Sequence, residues 1–520
     1  MKKSIKVLIC VLCLVFCLGL FAGCDGETGG AATATPAPTD SNGSTSGTTS
    51  GATTGASSSS DGQDPYLRPR DESLENAIKE GETYRYFIYT TTDSNNPFES
   101  MDDESREYNL NRKNAYEEHY GITIEYVTAG GADWYVAFAA AAASGAPTTD
   151  IYHAGGPFTM YTNYNYQGNP GSVLEPLSQY SQYADFTDEE YFDQTSQAVT
   201  TYSGELYFAV PNGVGIDSVS SNLVVMFNKE LLASAGYEDD EIYDMWRNKE
   251  WNWDIFRQIA RDTTDLDNDI YGVTTGQNNS LMWGLMPSNN SAILSLTEDA
   301  ESGQSYWAFS GNTDNALAAW DFFIQMGNDN SVLLSNEAEV GPFRAGNIAM
   351  MVTYVNRADT LTNFRQYPQF GIVPVPMGPQ ADDYVSTNNW FTPLCVFKGT
   401  ANPAGSVQLL SEYLAPRYAK SSEDAQAAFE ASAVSMVCDT ESVEVLRSIP
   451  DISITEPYII YWSTPSFNMG DTTSALCNLY TDHNTNFISG AETPSVLFES
   501  VESALNNALM DAQIVFDDAT

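Results

Sequence analysis

The sequence predicts an α/β protein built as at least two lobes, and two observations carry that prediction. After a Gly/Ser/Thr-rich stretch that ends near residue 64, about 456 residues remain, more than a single hydrophobic core sustains. Along them short β-favouring runs alternate with helical stretches, the pattern of right-handed crossovers and a largely parallel sheet. The chain is 42% apolar and 12% aromatic, enough to fill cores of that size.

The elements follow in order. Residues 84–90 (Tyr-Arg-Tyr-Phe-Ile-Tyr-Thr) form a strand bounded by Gly81 and the turn cluster at 93–97. A charged helix over 105–120 stops at Gly121, and a second strand covers 122–127. The Ala-rich helix at 134–144 is ended by Gly145 and Pro147, and a strand at 150–153 runs into Gly155-Gly156-Pro157. Ligands of such sheets sit beyond the carboxyl ends of strands, which points to the loops at 91–95 and 153–158. Further on, a strand at 206–210 is closed by Pro211-Asn212-Gly213, and another at 223–227 precedes a helix that ends at Gly236. Asn252 caps a helix over 253–263, and a helix containing Ile324 begins near Asp314, which could cap it. The apolar run 371–376 carries two prolines, so its strand must end early or lie at an edge.

The N-terminal region predicts location. Lys2, Lys3 and Lys6 precede an uncharged run over 7–23 that closes in Leu20-Phe21-Ala22-Gly23-Cys24. A basic start, a short apolar stretch and small residues before a cut site describe a secretion signal rather than a spanning helix. The stretch resembles the bacterial lipoprotein signal, in which that Cys is lipidated, although Phe21 stands where the motif usually has Leu. An ordinary signal peptide with an incidental Cys24 is the alternative. Of the 40 residues from 25 to 64, 31 are Gly, Ala, Ser or Thr, a composition that cannot offset the entropy of ordering. As a coil it reaches on the order of 35 Å. The expectation is a signal over 1–23, a lipidated Cys24 with a tether to residue 64, and a body moored at the outer face of a membrane. No second apolar run of spanning length follows.

The net charge is −47, and loss of the three signal lysines takes it to about −50, a field that disfavours nucleic acid and anionic lipid. Beyond the signal only Cys395, Cys438 and Cys477 remain, without a CxxC pair, so one disulfide with a spare thiol and three unpaired cysteines both stand open. Asp265, Asp267 and Asp269 alternate like the first half of a calcium loop, but Ile270 replaces its central Gly and no Glu follows at the twelfth position. A solvated acidic turn is the other reading. Three histidines (His119, His153, His483) and no HExxH, GxSxG or Walker motif argue against an enzyme, and no cofactor is expected.

Several short pieces, in order, resemble one family: the extracellular solute-binding proteins of ABC importers, in the carbohydrate-type group that includes maltose-binding proteins. They are Tyr120 to Glu125; Ser144-Gly145-Ala146-Pro147 before Asp150-Ile151; Phe227-Asn228-Lys229 with Gly236; Trp253 with Tyr271-Gly272; Phe343 to Met351 with Gly371 to Pro379; and Ala401-Asn402-Pro403. The resemblance implies a two-lobe α/β fold with a hinge between the lobes and a ligand cleft at their interface. One lobe is expected over 65–212 plus 391–435, the other over 213–390 plus 436–520. It further implies a carbohydrate ligand, ABC permease subunits as partners, no nucleic acid, a monomer, and capture rather than catalysis. A cell-surface glycan-binding or glycan-hydrolysing protein is the alternative.

Clefts of this kind hold sugars by aromatic faces and polar side chains. Trp390, after Ser386-Thr387-Asn388-Asn389, is the foremost stacking candidate, with Trp283, Tyr354 and Trp462, each also suited to core packing. Trp246, Trp251 and Trp253 pack the helix start they surround. Asp93 matches the place of a hydroxyl-binding carboxylate and equally suits a turn. His153 is either a cleft hydrogen-bonder or a strand-end histidine. Asn212, in the Asn212-Gly213-Val214-Gly215 hinge, completes the set with Asn356, which stands where relatives often carry Trp, leaving Tyr354 as the substitute ring.

Overall fold

A computed structural model describes residues 64–513 apart from 89–92, 100, 102, 129–133, 154–157, 239, 336–338, 364–366, 462–466, 470–471 and 475. The signal, Cys24, the tether up to residue 63 and Trp462 therefore lie outside the described residues. Among those described, no helix is long and apolar enough to cross a membrane.

Two α/β lobes are present, each with its own sheet. β1 (Thr83–Ile88), β2 (Thr123–Val127) and β3 (Ile151–His153) form the first as parallel strands with β1 in the middle. In β1 the side chains of Tyr84, Tyr86 and Phe87 are buried, as β-favouring aromatics between two layers should be. Asp150 fixes the entry to β3. Its carboxylate accepts from the Arg85 main-chain N–H at 2.8 Å and pairs with the Arg85 guanidinium at 2.6 Å. The same guanidinium donates to the Pro147 carbonyl at 2.6 Å. The Gly-Ala-Pro…Asp pattern is thus a turn bolted to the neighbouring strand.

The chain then makes a small hairpin, β4 (Thr201–Tyr202) and β5 (Glu205–Leu206). The strand expected at 206–210 is replaced by this two-residue ladder and one bridge, with Ala209 and Leu394 exchanging main-chain hydrogen bonds at 2.9 and 2.8 Å. The buried Phe208-Ala209-Val210 run packs as core, so its apolarity reports burial rather than pairing.

β6 (Leu223–Asn228) opens the second sheet and is buried at all six positions. Asn228 ends the strand and caps the helix Lys229–Ser234, its Oδ1 accepting from the N–H groups of Glu230 and Leu231 at 3.0 and 3.2 Å. Such a cap stabilises a helix by about 1 kcal/mol. β7 (Tyr271–Thr274) follows, then an antiparallel hairpin of β8 (Leu294–Glu298) and β9 (Ser305–Phe309). The helix Asp314–Asn328 has Thr313, not Asp314, at its N-cap position, and no side chain caps it. β10 (Val332–Leu333), β11 (Ile348–Tyr354) and β12 (Phe370–Pro374) complete the sheet in the order β10-β7-β11-β6-β12. β6 runs antiparallel to both its neighbours, and β12 lies at the edge, where its terminal proline is tolerated.

β13 (Ser386–Asn388) leads into β14 (Leu394–Val396), which joins the first sheet antiparallel to β3. Asn402 then caps the helix Pro403–Leu409, accepting from Gly405 N–H at 3.0 Å. This helix widens into a π turn over Leu410–Leu414. Arg112, buried, donates to the carbonyls of Glu412 and Tyr413 at 3.1 Å and of Ala415 at 2.9 Å, supplying partners the widened turn leaves unmet. Its fourth bond, 2.9 Å to the Tyr66 carbonyl, ties down the incoming chain. Residues 420 and 421 are held by Glu190, through its carbonyl at 3.0 Å and its carboxylate at 2.9 Å. The helix Glu423–Met436 packs instead on the turn Gly215–Ser218 and on the helices Arg357–Thr362 and Thr440–Ile452. β15 (Ser453–Thr455) pairs parallel to β13, and a short antiparallel pair, Phe467–Met469 with Thr472–Ser474, follows it.

Candidate functional site

The carboxyl ends of β7 and β11 point the same way, because the two strands are parallel, and the residues just beyond them form one wall. After β7, Gly276, Asn278 and Asn279 all take left-handed φ values of +66°, 56° and 61°. Asn tolerates that region better than other non-glycine residues, and strain of this kind collects at binding sites. The loop is held from both sides: Ser280 Oγ donates to the Val352 carbonyl at 2.7 Å, and Asn279 Nδ2 to the Tyr480 carbonyl at 2.7 Å.

Glu339 is the electrostatic centre of this wall. Its carboxylate is buried, accepts from Gln277 N–H at 3.3 Å and from the Thr353 hydroxyl, and stands 3.9 Å from Arg357 Nε. At the end of β11, Tyr354 is pushed above the usual phenol range by burial and then by Glu339. The next residue, Val355, donates its N–H to the Asn222 carbonyl at 3.0 Å, and Asn356 its N–H to the Ser220 carbonyl at 2.9 Å. Asn222 also ties β13 to β15, with Nδ2 donating to the Ser386 carbonyl at 3.1 Å and to Ser453 Oγ at 2.8 Å.

Directly after β13, Asn389 is fully buried. Its amide makes no hydrogen bond of normal geometry, although the Tyr354 hydroxyl lies close enough to interact. Trp390 follows, half-buried, its N–H donated to Asn388 Oδ1 at 3.2 Å. Tyr354, Asn356 and Trp390 are thus gathered around the junction where the chain leaves one lobe for the other. Trp283 stands further in, 2% exposed in the helix Ser280–Leu285, its ring 5.1 Å from that of Tyr458.

The remaining predicted residues occupy other elements. His153 ends β3 in the first lobe, with Nδ1 3.2 Å from the Tyr86 hydroxyl. Burial holds its pKa down at about 4, so the ring is neutral at physiological pH. Asp93 is exposed and accepts from the Asn95 N–H at 2.9 Å and Nδ2 at 3.2 Å, closing an Asx turn. Asn212 fastens the crossover: its N–H donates to the Tyr191 carbonyl at 2.9 Å and its Nδ2 to the Glu189 carbonyl at 2.9 Å. At the adjacent Gly213 a Cβ would meet Asp217 C and Ser218 N at 2.5 Å, so only glycine fits.

Asp265, Asp267 and Asp269 sit at the amino end of β7, away from this wall. Asp265 and Ile270 exchange main-chain hydrogen bonds at 2.9 Å, closing a tight turn. Among the described residues no three His, Cys, Asp or Glu side chains converge as a metal set. Cys395 and Cys438 are free thiols.

The sequence reading missed Gln277 to Asn279, Glu339, Arg357 and Asn389. A signal was available for the first group, since Gly276-Gln277-Asn278-Asn279 is a turn-prone polar run directly after a strand.

The family model for bacterial extracellular solute-binding proteins matches residues 100–420. The chain belongs to that family. Among curated proteins none matches it. Solved structures of binding proteins share the fold. The cyclic α-maltosyl-1,6-maltose binding protein from Arthrobacter globiformis matches with a TM-score of 0.55 at 14% identity, over 83% of this chain and 99% of its own. An ABC substrate-binding protein from Listeria monocytogenes, in complex with cycloalternan, matches with 0.53 at 14%, over 82% and 99%. UgpB from Mycobacterium tuberculosis, in complex with glycerophosphocholine, matches with 0.52 at 14%, over 82% and 98%. At these identities the likeness is one of fold. The solute-binding protein shares with them its two-lobe fold.

Proposed function

We propose that this protein is a lipid-anchored extracellular receptor that captures a sugar or oligosaccharide between its lobes and delivers it to an ABC importer. The observation that carries the proposal is the wall beyond β7 and β11, built in a chain of the solute-binding family. Tyr354 and Trp390 supply ring faces for the C–H surface of a sugar, and Asn356, Asn389 and Arg357 supply hydroxyl partners. Arg357 faces Glu339, so the wall offers no unopposed charge, which suits a neutral solute. His153 and the loop that begins at Asp93 form the opposing side, and the hinge consists of the crossovers at Asn212 to Gly215, at Asn389 to Phe391 and near residue 422. The last position follows the packing of the helix Glu423–Met436 on the Gly215–Ser218 turn and differs from the sequence-based boundary at 435. Cys24 carries the lipid, and the protein acts as a monomer without turnover of its ligand.

Isothermal titration against mono- and oligosaccharides, with glycerophosphodiesters and short peptides as counter-ligands, tests this reading. Ligand at 100-fold excess over its Kd stabilises the fold by about 2.7 kcal/mol, so thermal shift serves as the first screen. Binding of a peptide or phosphodiester alone would overturn the carbohydrate assignment, and release of reducing ends would overturn the assignment as a receptor.

A further inference from the structure

Away from the chain crossovers, two hydrogen bonds reach from the first lobe to the outer part of the second. The Tyr164 hydroxyl donates to the main-chain carbonyl of Gln513 at 3.1 Å, and Ser203 Oγ donates to Gln304 Oε1 at 2.7 Å. Tyr164 belongs to the first lobe. Its ring stacks on Tyr202 at 3.9 Å and meets Tyr207 edge-on at 5.1 Å, so the hydroxyl is held in one position. Gln513 is the last described residue and belongs to the helix Pro494–Gln513 of the second lobe. A hydroxyl from the first lobe thus meets a main-chain carbonyl of this helix.

The Gln513 side chain fixes that carbonyl in place. It pairs with β9 as a strand would, accepting from Trp307 N–H at 2.8 Å and donating to the Trp307 carbonyl at 3.0 Å. Tyr164 and Gln513 are each at most 2% exposed, so water does not substitute for either partner while the lobes stay together. Gln304 lies at the turn of the β8–β9 hairpin, and the five residues of β8 set it about 17 Å from the hairpin's root at Ile293. A hydrogen bond that far along the hairpin does not survive rotation of one lobe against the other.

We propose that Tyr164–Gln513 and Ser203–Gln304 form a latch that holds the two lobes in the arrangement seen here and so sets their open–closed balance before any solute arrives. Its effect on solute affinity rests on the interlobe-cleft reading above; its effect on the empty protein does not. The latch acts without touching solute, by raising the fraction of protein that is already in this arrangement.

The test uses the full chain without ligand. Tyr164→Phe keeps the ring stack and removes only the donor, and Ser203→Ala alters an exposed side chain, so both variants retain the fold. Loss of one hydrogen bond should shift the open–closed ratio about 2- to 10-fold. The expected readouts are a changed radius in small-angle scattering and matching faster amide exchange at Trp307 and at the residues just before Gln513, with the double variant exceeding either single one. Superimposable scattering and unchanged exchange in the double variant would overturn the latch. A shifted empty protein that binds no sugar would remove the carbohydrate reading and leave the latch standing. Sugar binding with an unshifted empty protein would do the reverse.

Discussion

The carboxyl group of Glu456 accepts a hydrogen bond from the main-chain N–H of Ile293 at 3.2 Å, joining the end of β15 to the root of the β8–β9 hairpin. The group is buried, its second oxygen has no hydrogen bond, and burial pushes its pKa up to about 8. At neutral pH it is therefore mostly a neutral acid, beside the hydroxyls of Tyr458 and Tyr480. Because the folded-state pKa lies above the unfolded value, the folded state keeps a proton that the unfolded state releases. The associated stability is fully present below about pH 4.5 and is lost as pH rises towards 8. The loss is on the order of 3–5 kcal/mol.

Glu456→Gln removes the proton while keeping an oxygen for Ile293. The variant should match the parent in urea denaturation at pH 5 and exceed it by several kcal/mol at pH 9, where the parent carries a buried charge. An identical pH profile for both proteins would show that Glu456 does not titrate in this range.

Trp390→Ala should weaken solute binding at least tenfold, about 1.4 kcal/mol. Trp390 is half-buried at the crossover from β13 to β14, where its main-chain N–H donates to Asn388 Oδ1. Its removal should cost less stability than the roughly 3–5 kcal/mol of a core tryptophan. Trp320, fully buried among Phe323, Tyr480, Phe487 and Phe498, supplies the contrast: Trp320→Ala should lose the full amount. Unchanged affinity together with a large stability loss in Trp390→Ala would make Trp390 a core residue.

Those two tryptophans mark the boundary of what the sequence reveals. β6 is legible because a strand buried on both faces needs an unbroken apolar run, and Asn252 is legible as a cap because its role depends on the next three residues alone. The pairing of β13 with β15 joins Ser386 to Ser453, and no local pattern encodes a partner that distant. Burial of Trp283, exposure of part of Trp390 and the isolation of Asn389 are tertiary outcomes of the same kind. The run 206–210 misleads for a related reason, since a buried turn and a buried strand share one composition.

Arg112→Met should destabilise the first lobe by on the order of 3 kcal/mol, because four carbonyls, three of them buried, each lose a donor and, among the described residues, only that of Glu412 keeps another, the Tyr116 hydroxyl at 2.7 Å. The measured unfolding free energy should fall by that amount in Arg112→Met and by clearly less in Arg106→Met, whose partner Asp103 is exposed. Equal losses would mean that the π turn over Leu410–Leu414 finds other partners.

Cys24→Ser should move the protein from the membrane fraction to the medium without altering the unfolding transition of the body. The proposed lipid signal and tether lie upstream of residue 64, and Arg112 holds the chain at Tyr66. A variant that still sediments with membranes would place the attachment elsewhere.

Asn389 gives the sharpest separation of binding from folding. A fully buried amide without a hydrogen bond of normal geometry costs a protein about 1–3 kcal/mol, and cores seldom keep one without a use. Under the proposed function, solute hydroxyls reaching Asn389 from the Tyr354 side of the wall would be that use. Asn389→Leu, branched in the same way though somewhat larger, removes the unmet polar atoms, so the empty protein should become equally or more stable, by up to about 2 kcal/mol in urea denaturation. Solute affinity should fall at least tenfold, since the leucine leaves a solute hydroxyl unpaired. Stability and affinity thus move in opposite directions, which a packing role cannot produce. A destabilised variant that binds normally would show that the amide serves the fold.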